Sequence, residues 1–427
     1  MACGSDILRI FLQRDHPVEP EKCLNASEVF CMAPWSHIHV LPSGKIYACC
    51  MSAHAKKNAI GDLHKGDTLE GAWNSRKMRK LRRQMLMCRE SGLCERCYIA
   101  EKNDQGSLRK SVNFLMAHHF DWVHRTSCDG FMDVFKVPYL DIRFSNLCNF
   151  RCRICSPYLS SGWYRDARKL WLIRRSMPKV LNVADGNPAF LSKIFELLED
   201  VECIQFGGGE PLIMEEHYQI LERLMKLRKY DVRLSYNTNC SVIQHKQYNL
   251  LEMWNGFNDV FIMASLDGSH GRGDYMRKGQ HWEVTEENIR RIRRECPRVR
   301  FRLSPTISLF NAFHLIDFYK ELYEKGTIHI NEFATNILLE PSMYNIRNFP
   351  EPLKARLTCQ YNEFIATYLT DHNASEETKN HFRAVIQYMN EESLHRLFIF
   401  KAVTRILDKL RNESFPEVFP ELGELLK

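Results

Sequence analysis

A single cysteine-rich loop constrains this chain more than any other feature of its sequence. Residues 146–155 read NLCNFRCRIC, so Cys148, Cys152 and Cys155 have the spacing C-x3-C-x2-C directly after a strand-like segment, residues 139–144. Three thiolates on one short loop suit a cubane [4Fe–4S] cluster that leaves one iron without a protein ligand. Structural zinc sites are the alternative, but they usually close with four ligands, commonly as two C-x2-C pairs.

Composition places this loop in a globular protein of a reducing compartment. The 427 residues allow two or three domains, and the formal net charge of +7 is a mild excess that permits a phosphate-bearing partner without requiring one. No apolar run reaches the roughly 20 residues of a membrane helix, and Met1–Asp15 lacks the basic start of a secretory signal. We therefore expect a cytoplasmic protein with no membrane partner, whose 16 cysteines bind metal or do chemistry rather than form disulfides.

The central region alternates strand and helix patterns. Strands are predicted at 139–144, 201–206, 232–236, 260–265, 299–303 and 328–337, and helices include 213–227, 284–295 and 313–323. Repeated strand–helix units predict an α/β fold with a parallel sheet or barrel. Ligands of such folds bind at the carboxyl ends of the strands.

Several motifs follow these strands. Residues 207–211 read GGGEP after the second strand, residues 237–239 read NTN after the third, and residues 265–268 read SLDG after the fourth. Arg277 lies twelve residues after Ser265. Together with the cysteine loop, these motifs resemble the radical S-adenosylmethionine (SAM) superfamily over roughly residues 139–340. The third motif is a partial match, because Cys240 stands where the family keeps a glycine.

The resemblance implies a partial (β/α)6 TIM-like barrel over residues 131–345. It implies that Cys148, Cys152 and Cys155 hold a [4Fe–4S] cluster whose open iron binds SAM. The residues expected to contact SAM share these motif positions; they are Ile154, Gly208, Gly209, Glu210, Pro211, Asn237, Ser265, Asp267 and Arg277.

A second group of cysteines precedes the barrel. A hairpin pattern spans residues 36–41 and 45–48, a helix pattern spans 69–87, and the cysteines around them resemble the twitch module, a shortened relative of the SPASM domain. The resemblance assigns residues 1–130 to a module with an auxiliary [4Fe–4S] cluster, although better-known relatives carry it after the barrel. Its expected ligands are Cys31, Cys49, Cys94 and Cys97, with Cys50 and Cys88 in reserve. A structural zinc site with four thiolates is the alternative.

Two further features carry weaker expectations. His37 and His39 share one face of a strand, so they either reach a metal or substrate or line the core. Residues 346–427 show helical patterns with charged faces and no motif, so we predict a helical C-terminal region.

The resemblance implies an enzyme that cleaves SAM reductively and abstracts a hydrogen atom from a peptide or a small metabolite. Its partner would be an external one-electron reductant of the flavodoxin or ferredoxin type. The auxiliary cluster would either accept an electron or hold the substrate. We find no winged-helix pattern of the kind that grips a leader peptide.

Two alternatives stay open. A nucleotide or nucleic-acid substrate would use the basic stretches 76–83 and 290–294, although such stretches are more often solvated helix faces. A non-catalytic iron–sulfur or zinc protein is the second alternative.

Overall fold

The computed structural model describes residues 27–102 and 106–427. The expectation for Met1–Asp15 therefore lies outside the described residues. The chain divides into two compact units. One holds the described residues through Ser145 with Asn182–Gly208 and Gln219–Leu234, and the other holds Asn146–Leu181, Gly209–Tyr218 and Ser235–Lys427. The division at residues 130 and 345 stays a prediction.

The strands form one large sheet and two small ones. In chain order they are β1 (His37–Val40), β2 (Lys45–Tyr47), β3 (Gly61–Asp62), β4 (Tyr139–Ile142), β5 (Cys203–Phe206), β6 (Arg233–Thr238), β7 (Gln244–His245), β8 (Tyr248–Asn249), β9 (Asp259–Ala264), β10 (Arg300–Leu303), β11 (Thr306–Ile307) and β12 (Asn336–Ile337). The eight-stranded sheet has the order β10-β9-β6-β5-β4-β1-β2-β3, and the small sheets pair β11 with β12 and β7 with β8.

Helices precede, alternate with and follow these strands. The N-terminal helices are α1 (Ala33–Ser36), α2 (Leu69–Trp73), α3 (Arg76–Leu86), α4 (Glu95–Lys102), α5 (Leu108–Met116) and α6 (Asp121–His124). The central helices are α7 (Tyr164–Lys169), α8 (Pro188–Leu197), α9 (Glu215–Lys226), α10 (Leu250–Asn255), α11 (His270–Met276), α12 (Trp282–Glu295) and α13 (Leu315–Glu324). The last are α14 (Glu351–Ala366), α15 (Tyr368–Asp371), α16 (Glu376–Met389), α17 (Leu397–Arg411) and α18 (Phe415–Val418).

The N-terminal hairpin continues the sheet of the strand–helix array. Strand β1 pairs antiparallel with β2 and parallel with β4, with His37 opposite Tyr139 and Val40 opposite Ile142. Strand β4 also pairs parallel with β5, with Tyr139 opposite Cys203. All four residues of β1 and all four of β4 are buried. The cysteine-rich hairpin thus shares a hydrogen-bonded sheet with the strand that leads into the cysteine loop.

The predicted α/β fold class is confirmed, since the central sheet is mostly parallel and the C-terminal region is helical. Five predicted strands correspond to β4, β5, β6, β9 and β10. The sixth prediction, residues 328–337, is correct only in part: β12 pairs with β11, and Phe333 forms an isolated parallel bridge with Leu303 of β10. The Glu332 carboxylate accepts a hydrogen bond from the His329 backbone N–H at 2.8 Å and thereby stabilises a turn inside the predicted strand.

The helix predicted over residues 69–87 is two helices, α2 and α3. The Ser75 hydroxyl accepts a hydrogen bond from the Met78 backbone N–H at 3.3 Å, so Ser75 caps a new helix. Helix α2 ends directly before Asn74, whose side chain donates to the Met132 carbonyl at 2.7 Å. The apolar positions keep helical spacing across the break and do not reveal it.

The C-terminal region packs through aromatic rings. Phe310 lies 4.8 Å from Tyr344 and 5.8 Å from Phe400, measured between ring centroids. The rings of Phe415 and Phe419, from the region of α18, are tilted to each other with centroids 5.2 Å apart, and both are fully buried. Large buried rings contribute strongly to core stability, so these helices are an integral part of their unit. Over the residues that the structure describes, no helix has the length and apolarity needed to cross a membrane.

Gly130 offers a test of the fold around α3. Its φ is +85°, and an added Cβ would lie 2.2 Å from the Arg79 carbonyl oxygen. We predict that Gly130→Ala lowers the free energy of unfolding by more than about 1 kcal/mol. Gly92→Ala is the control, because nothing lies within 4 Å of its added Cβ. Thermal unfolding of the two variants makes the comparison, and equal melting temperatures would contradict this packing.

Candidate functional site

The loop of residues 146–155, called here the cluster loop, is held in shape by its own neighbours. The backbone N–H groups of Arg151 and Arg153 each donate at 2.8 Å, to the carbonyls of Lys278 and Met276. The Trp163 indole N–H donates to the Cys152 carbonyl at 2.6 Å. These bonds fix the backbone around the second cysteine before any metal binds.

The three thiols of the cluster loop act on one another electrostatically. Burial, followed by the charge of Cys152, raises the pKa of Cys155 to about 12. Burial and then the charge of Cys152 also raise the pKa of Cys148 well above its usual range. Thiolates gathered this closely repel one another, so a bound cation is needed to keep them deprotonated. This donor set therefore fits an iron–sulfur cluster.

The GGGEP loop packs directly on the cluster loop. An added Cβ on Gly209 would lie 2.0 Å from the Leu147 carbonyl oxygen, so only glycine fits there. The next residue, Glu210, donates its backbone N–H to the same carbonyl at 2.8 Å. Gly208 has a φ of +113°, which other residues rarely adopt. Glycine at these two positions is thus required by the backbone geometry.

The Glu210 carboxylate ties this loop to the end of β6. It accepts hydrogen bonds from the Thr238 hydroxyl at 2.7 Å, the Asn239 backbone N–H at 2.8 Å and the Leu212 backbone N–H at 3.1 Å. Burial raises the pKa of Glu210 to about 7 despite these donors. A contact between this carboxylate and the methionine ammonium of SAM stays a prediction.

Asp267 and Arg277 form a buried ion pair beside the cluster loop. Arg277 Nη2 lies 2.9 Å from Asp267 Oδ1, and Nε lies 2.8 Å from Oδ2. The same guanidinium donates to Cys152 Sγ at 3.9 Å. Burial alone would lower the pKa of Arg277, but the charges of Asp267 and Cys152 raise it. A permanent positive charge therefore sits against one thiol.

The other predicted SAM contacts lie at or near strand ends. Asn237 is the fifth residue of β6, and Ser265 follows β9 and donates its backbone N–H to the Thr238 carbonyl at 2.8 Å. Ile154 is half-buried in the cluster loop, and Pro211 is buried directly after Glu210. Their contacts with SAM stay predictions.

Sequence reasoning missed a polar bridge between the cluster loop and the end of β6. Asn239 donates its side-chain amide to Asn149 Oδ1 at 3.0 Å, and Asn149 donates to the Ser241 hydroxyl at 2.8 Å. Because Asn149 lies between two cysteines of the loop, this bridge positions the ligands. Asn239, the amide inside the partial T-N-G match, was the available signal.

Sequence reasoning also missed a buried arginine that joins the cluster loop to the C-terminal region. Arg153 is fully buried, and its Nη2 contacts Asp408 Oδ1 at 2.5 Å and Glu413 Oε2 at 2.6 Å. The guanidinium also lies over the Tyr275 ring, 3.7 Å from its centroid, and the Tyr275 hydroxyl donates to Asp408 at 2.7 Å. Helix α17 and the residues after it therefore belong to the cluster-loop site.

Arg411, the last residue of α17, forms a second buried ion pair next to the cluster loop. Arg411 Nε lies 2.8 Å from Asp166 Oδ2, and both side chains are buried. Arg151 of the cluster loop contacts the other oxygen of Asp166 at 3.2 Å. The Arg411 guanidinium also stacks over Trp163, 4.7 Å from its centroid. Two buried ion-pair networks thus connect α17 with the loop or its flanks.

The four predicted auxiliary ligands also converge. Burial, followed by the charges of Cys94 and Cys49, raises the pKa of Cys31, and burial followed by the charge of Cys97 raises that of Cys49 to about 11. Cys97 donates its backbone N–H to the Cys94 carbonyl at 2.9 Å at the start of α4. Four buried or half-buried thiols that act on one another fit a closed iron–sulfur cluster.

Cys50, one of the two reserve candidates for an auxiliary ligand, has a different partner. Its thiol hydrogen-bonds with Asp141, and burial followed by the Asp141 charge raises the pKa of Cys50. Asp141 also contacts His39 Nδ1 at 2.9 Å. Burial opposes ionisation of Asp141, but His39 and Arg143 hold its pKa well below its usual range. Cys88, the other reserve, follows α3 with a φ of +50°.

The two histidines of β1 lie in the core and have protein partners. His37 is fully buried, and its Nδ1 lies 3.1 Å from the Ala48 carbonyl oxygen. Burial lowers the pKa of His37 to about 4, so it stays neutral at physiological pH. These contacts are those of core residues, and a role for either histidine toward substrate stays a prediction.

Two family models match this chain. The model described as the radical SAM superfamily matches residues 142–307, and the model described as SPASM, an iron–sulfur cluster-binding domain, matches residues 31–98. Residues 142–307 thus carry a radical SAM domain, and residues 31–98 before it carry a SPASM-type domain. A radical SAM domain implies a [4Fe–4S] cluster with SAM, and a SPASM domain implies auxiliary iron–sulfur binding.

Curated relatives match over a short stretch of this chain. A GTP 3',8-cyclase of Campylobacter curvus is 29% identical over 109 residues, which are 26% of this chain and 29% of that one. A GTP 3',8-cyclase of Campylobacter lari is 26% identical over 114 residues, which are 27% of this chain and 31% of the relative. The chain thus spans about three tenths of the length of these curated relatives.

Solved structures resemble this chain over longer stretches. Native anSMEcpe with bound AdoMet is 18% identical with a TM-score of 0.38, and the match covers 54% of this chain and 60% of that one. SuiB of Streptococcus suis bound to the precursor peptide SuiA is 14% identical with a TM-score of 0.37, and the match covers 70% of this chain and 64% of that one.

Arg153→Met tests the link between α17 and the cluster loop. The change removes the charge of Arg153 from beside Asp408 and Glu413, which destabilises the protein by up to about 3 kcal/mol, because Asp408 keeps only neutral donors and Glu413 keeps only Lys278. We predict a lower melting temperature and faster loss of iron to a chelator after anaerobic reconstitution. Arg165→Met is the matched control, because Arg165 is exposed. Equal iron-loss rates in the two variants would show that the link does not position the ligands.

Proposed function

We propose that Cys148, Cys152 and Cys155 are the ligands of the cluster that binds SAM, and that the enzyme abstracts a hydrogen atom from a peptide or a small metabolite. A [4Fe–4S] cluster with bound SAM supplies a 5′-deoxyadenosyl radical when it receives one electron. The observation that carries this proposal is the convergence of three thiols, the GGGEP loop and Arg277 on one loop.

The residues around the loop have distinct proposed roles. Gly209 permits close backbone approach, and Glu210 holds the GGGEP loop against the end of β6. Asp267 fixes the Arg277 guanidinium, whose charge favours the thiolate form of Cys152. The protein would also need a largely closed cavity around the reacting atoms, so that the substrate is the group within reach and solvent is excluded.

Cysteine substitutions test the assignment of the SAM-binding cluster. We predict that wild-type protein with SAM and dithionite produces 5′-deoxyadenosine under anaerobic conditions, and that Cys148→Ala, Cys152→Ala and Cys155→Ala each abolish it. Cys359→Ala is the control, because Cys359 is exposed and far from the loop in sequence. If wild type forms no product, or Cys152→Ala matches it, the assignment is wrong.

The auxiliary ligands are proposed to be Cys31, Cys49, Cys94 and Cys97. Four thiolates close a cluster to other ligands, which favours a role in accepting an electron from the substrate over a role in binding it. The net reaction would then be an oxidation. A zinc ion at these thiols would exclude that role, because zinc has no redox chemistry in proteins.

Counting iron and zinc per chain distinguishes an auxiliary cluster from a zinc ion at these four cysteines. We predict about eight irons per chain in reconstituted wild type and about four in Cys94→Ala, which keeps its ability to cleave SAM with dithionite. Cys128→Ala, which removes an exposed cysteine, should keep all of its iron. Four irons and one zinc in wild type would contradict the auxiliary cluster.

A nucleotide substrate is the second candidate, because both curated relatives described above are named GTP 3',8-cyclase. The basic stretches give it little support. On α12, Arg290, Arg291 and Arg293 already pair with glutamates, and Arg82 of α3 is buried and donates to the Pro34 carbonyl at 2.9 Å. Incubation with GTP, SAM and dithionite decides: consumption of GTP that matches 5′-deoxyadenosine formation would establish this candidate.

The proposed partner is an external one-electron carrier of the flavodoxin or ferredoxin type, because dithionite only replaces a physiological reductant. The proposed location is the cytoplasm, where the many free thiols stay reduced.

A further inference from the structure

A surface segment directly follows the cluster loop. It comprises residues 156–180 and is called here the 156–180 segment. Both of its ends meet at Asn146, whose side-chain amide donates to the Pro157 carbonyl at 2.8 Å and to the Lys179 carbonyl at 3.4 Å. The Leu181 backbone N–H donates back to Asn146 Oδ1 at 2.8 Å. The segment is therefore a loop whose two ends are held together at Asn146, and it begins at the residue that follows Cys155.

The segment carries a strong positive charge. Among residues 156–180 there are six basic side chains and one acidic side chain. The basic residues are Arg165, Arg168, Lys169, Arg174, Arg175 and Lys179. Five of them are exposed, and among the residues described by the structure none of the six has an ion-pair partner. The single acid, Asp166, is buried and paired with Arg151 and Arg411, so it does not offset this charge.

Large apolar side chains are exposed within the same segment. Trp171 is 79% exposed, Leu172 is 58% exposed and Leu159 is 38% exposed. The turn that presents Trp171 is fixed in place, since Leu172 donates its backbone N–H to the Ala167 carbonyl at 2.9 Å and Arg168 donates its guanidinium to the Arg175 carbonyl at 2.9 Å. Exposed aromatic and aliphatic side chains within a charged rim are typical of protein interaction sites.

The path from this segment to the cysteines is short. Cys155 Sγ donates to the Ser156 carbonyl at 3.7 Å, and Trp163 donates to the Cys152 carbonyl at 2.6 Å. A partner seated on the 156–180 segment therefore lies next to the residues that hold two of the three proposed cluster ligands. Nucleic acid would also be attracted by the charge, but the exposed Trp171 and Leu172 favour a protein partner, because exposed apolar side chains inside a charged rim are typical of protein interfaces.

We propose that the 156–180 segment is the docking surface for an acidic one-electron carrier protein. The inference rests on the proposed function. One electron leaves the reduced flavin or iron–sulfur group of the carrier and reduces the enzyme's cluster, and no bond or proton moves in that step. The basic rim accelerates encounter with an acidic partner, and Trp171 and Leu172 provide the apolar contact.

The test compares two triple variants with equal changes in charge. Arg174→Glu/Arg175→Glu/Lys179→Glu reverses the proposed surface, and Arg76→Glu/Lys80→Glu/Arg83→Glu reverses an exposed face of α3. Both reconstituted proteins are assayed for SAM cleavage with dithionite and with a reduced bacterial flavodoxin as the probe. Calorimetry at two salt concentrations measures flavodoxin binding in the absence of turnover.

We expect the 174/175/179 variant to cleave SAM normally with dithionite but to lose about tenfold or more of the flavodoxin-driven rate at low salt. It should also lose salt-dependent flavodoxin binding, and the α3 variant should keep both. Trp171→Ala should weaken binding without changing its salt dependence.

Three results would contradict either this proposal or the proposed function on which it rests. Equal flavodoxin-driven rates in both triple variants would overturn the proposal. Selective loss of RNA binding in the 174/175/179 variant, with flavodoxin binding intact, would overturn it in favour of a nucleic-acid surface. A wild-type protein that fails to cleave SAM even with dithionite would instead refute the proposed function.

Discussion

Desolvation of the thiols in the cluster loop is the constraint on which the functional part of this structure depends. Low-dielectric protein around each of the three cysteines disfavours its thiolate form, and neighbouring thiols add to this effect at Cys148 and Cys155. The protein places one permanent positive charge, Arg277, against Cys152. The remaining charge balance must come from metal, which explains why so many backbone and side-chain contacts serve to hold an otherwise unfavourable loop in place.

Those contacts come from distant parts of the sequence. Backbone bonds from the segment after α11, the GGGEP loop and the polar bridge from Asn239 fix one side of the loop. Buried ion pairs from α17 fix Arg153 and Asp166. A buried ion pair is costly to break because it leaves an unpaired charge, so it is suited to specifying one arrangement of a loop. The C-terminal helices are thereby coupled to the proposed chemistry without contributing a ligand.

Sequence reasoning predicted what depends on local pattern and spacing. Five strands of the central sheet and the proximity of the motif residues around Cys152 follow from alternation and from motif order along parallel strands. It did not predict the turn at Glu332 or the break at Asn74, because single side-chain hydrogen bonds decide them. The partnership of Arg153 with Asp408 joins residues 255 positions apart, which no local pattern reveals. The pairing of β1 with β4 was missed for the same reason.

The central claim is that SAM binds the open iron of a cluster held by Cys148, Cys152 and Cys155. Electron–nuclear double resonance on the reduced protein tests it most directly, with SAM labelled with ¹⁵N at the methionine amino group. The account predicts a ¹⁵N coupling to the cluster in wild type and in Cys94→Ala, which keeps only this cluster, and no such signal in Cys152→Ala. A wild-type spectrum without ¹⁵N coupling, or a coupling that survives in Cys152→Ala, would contradict it.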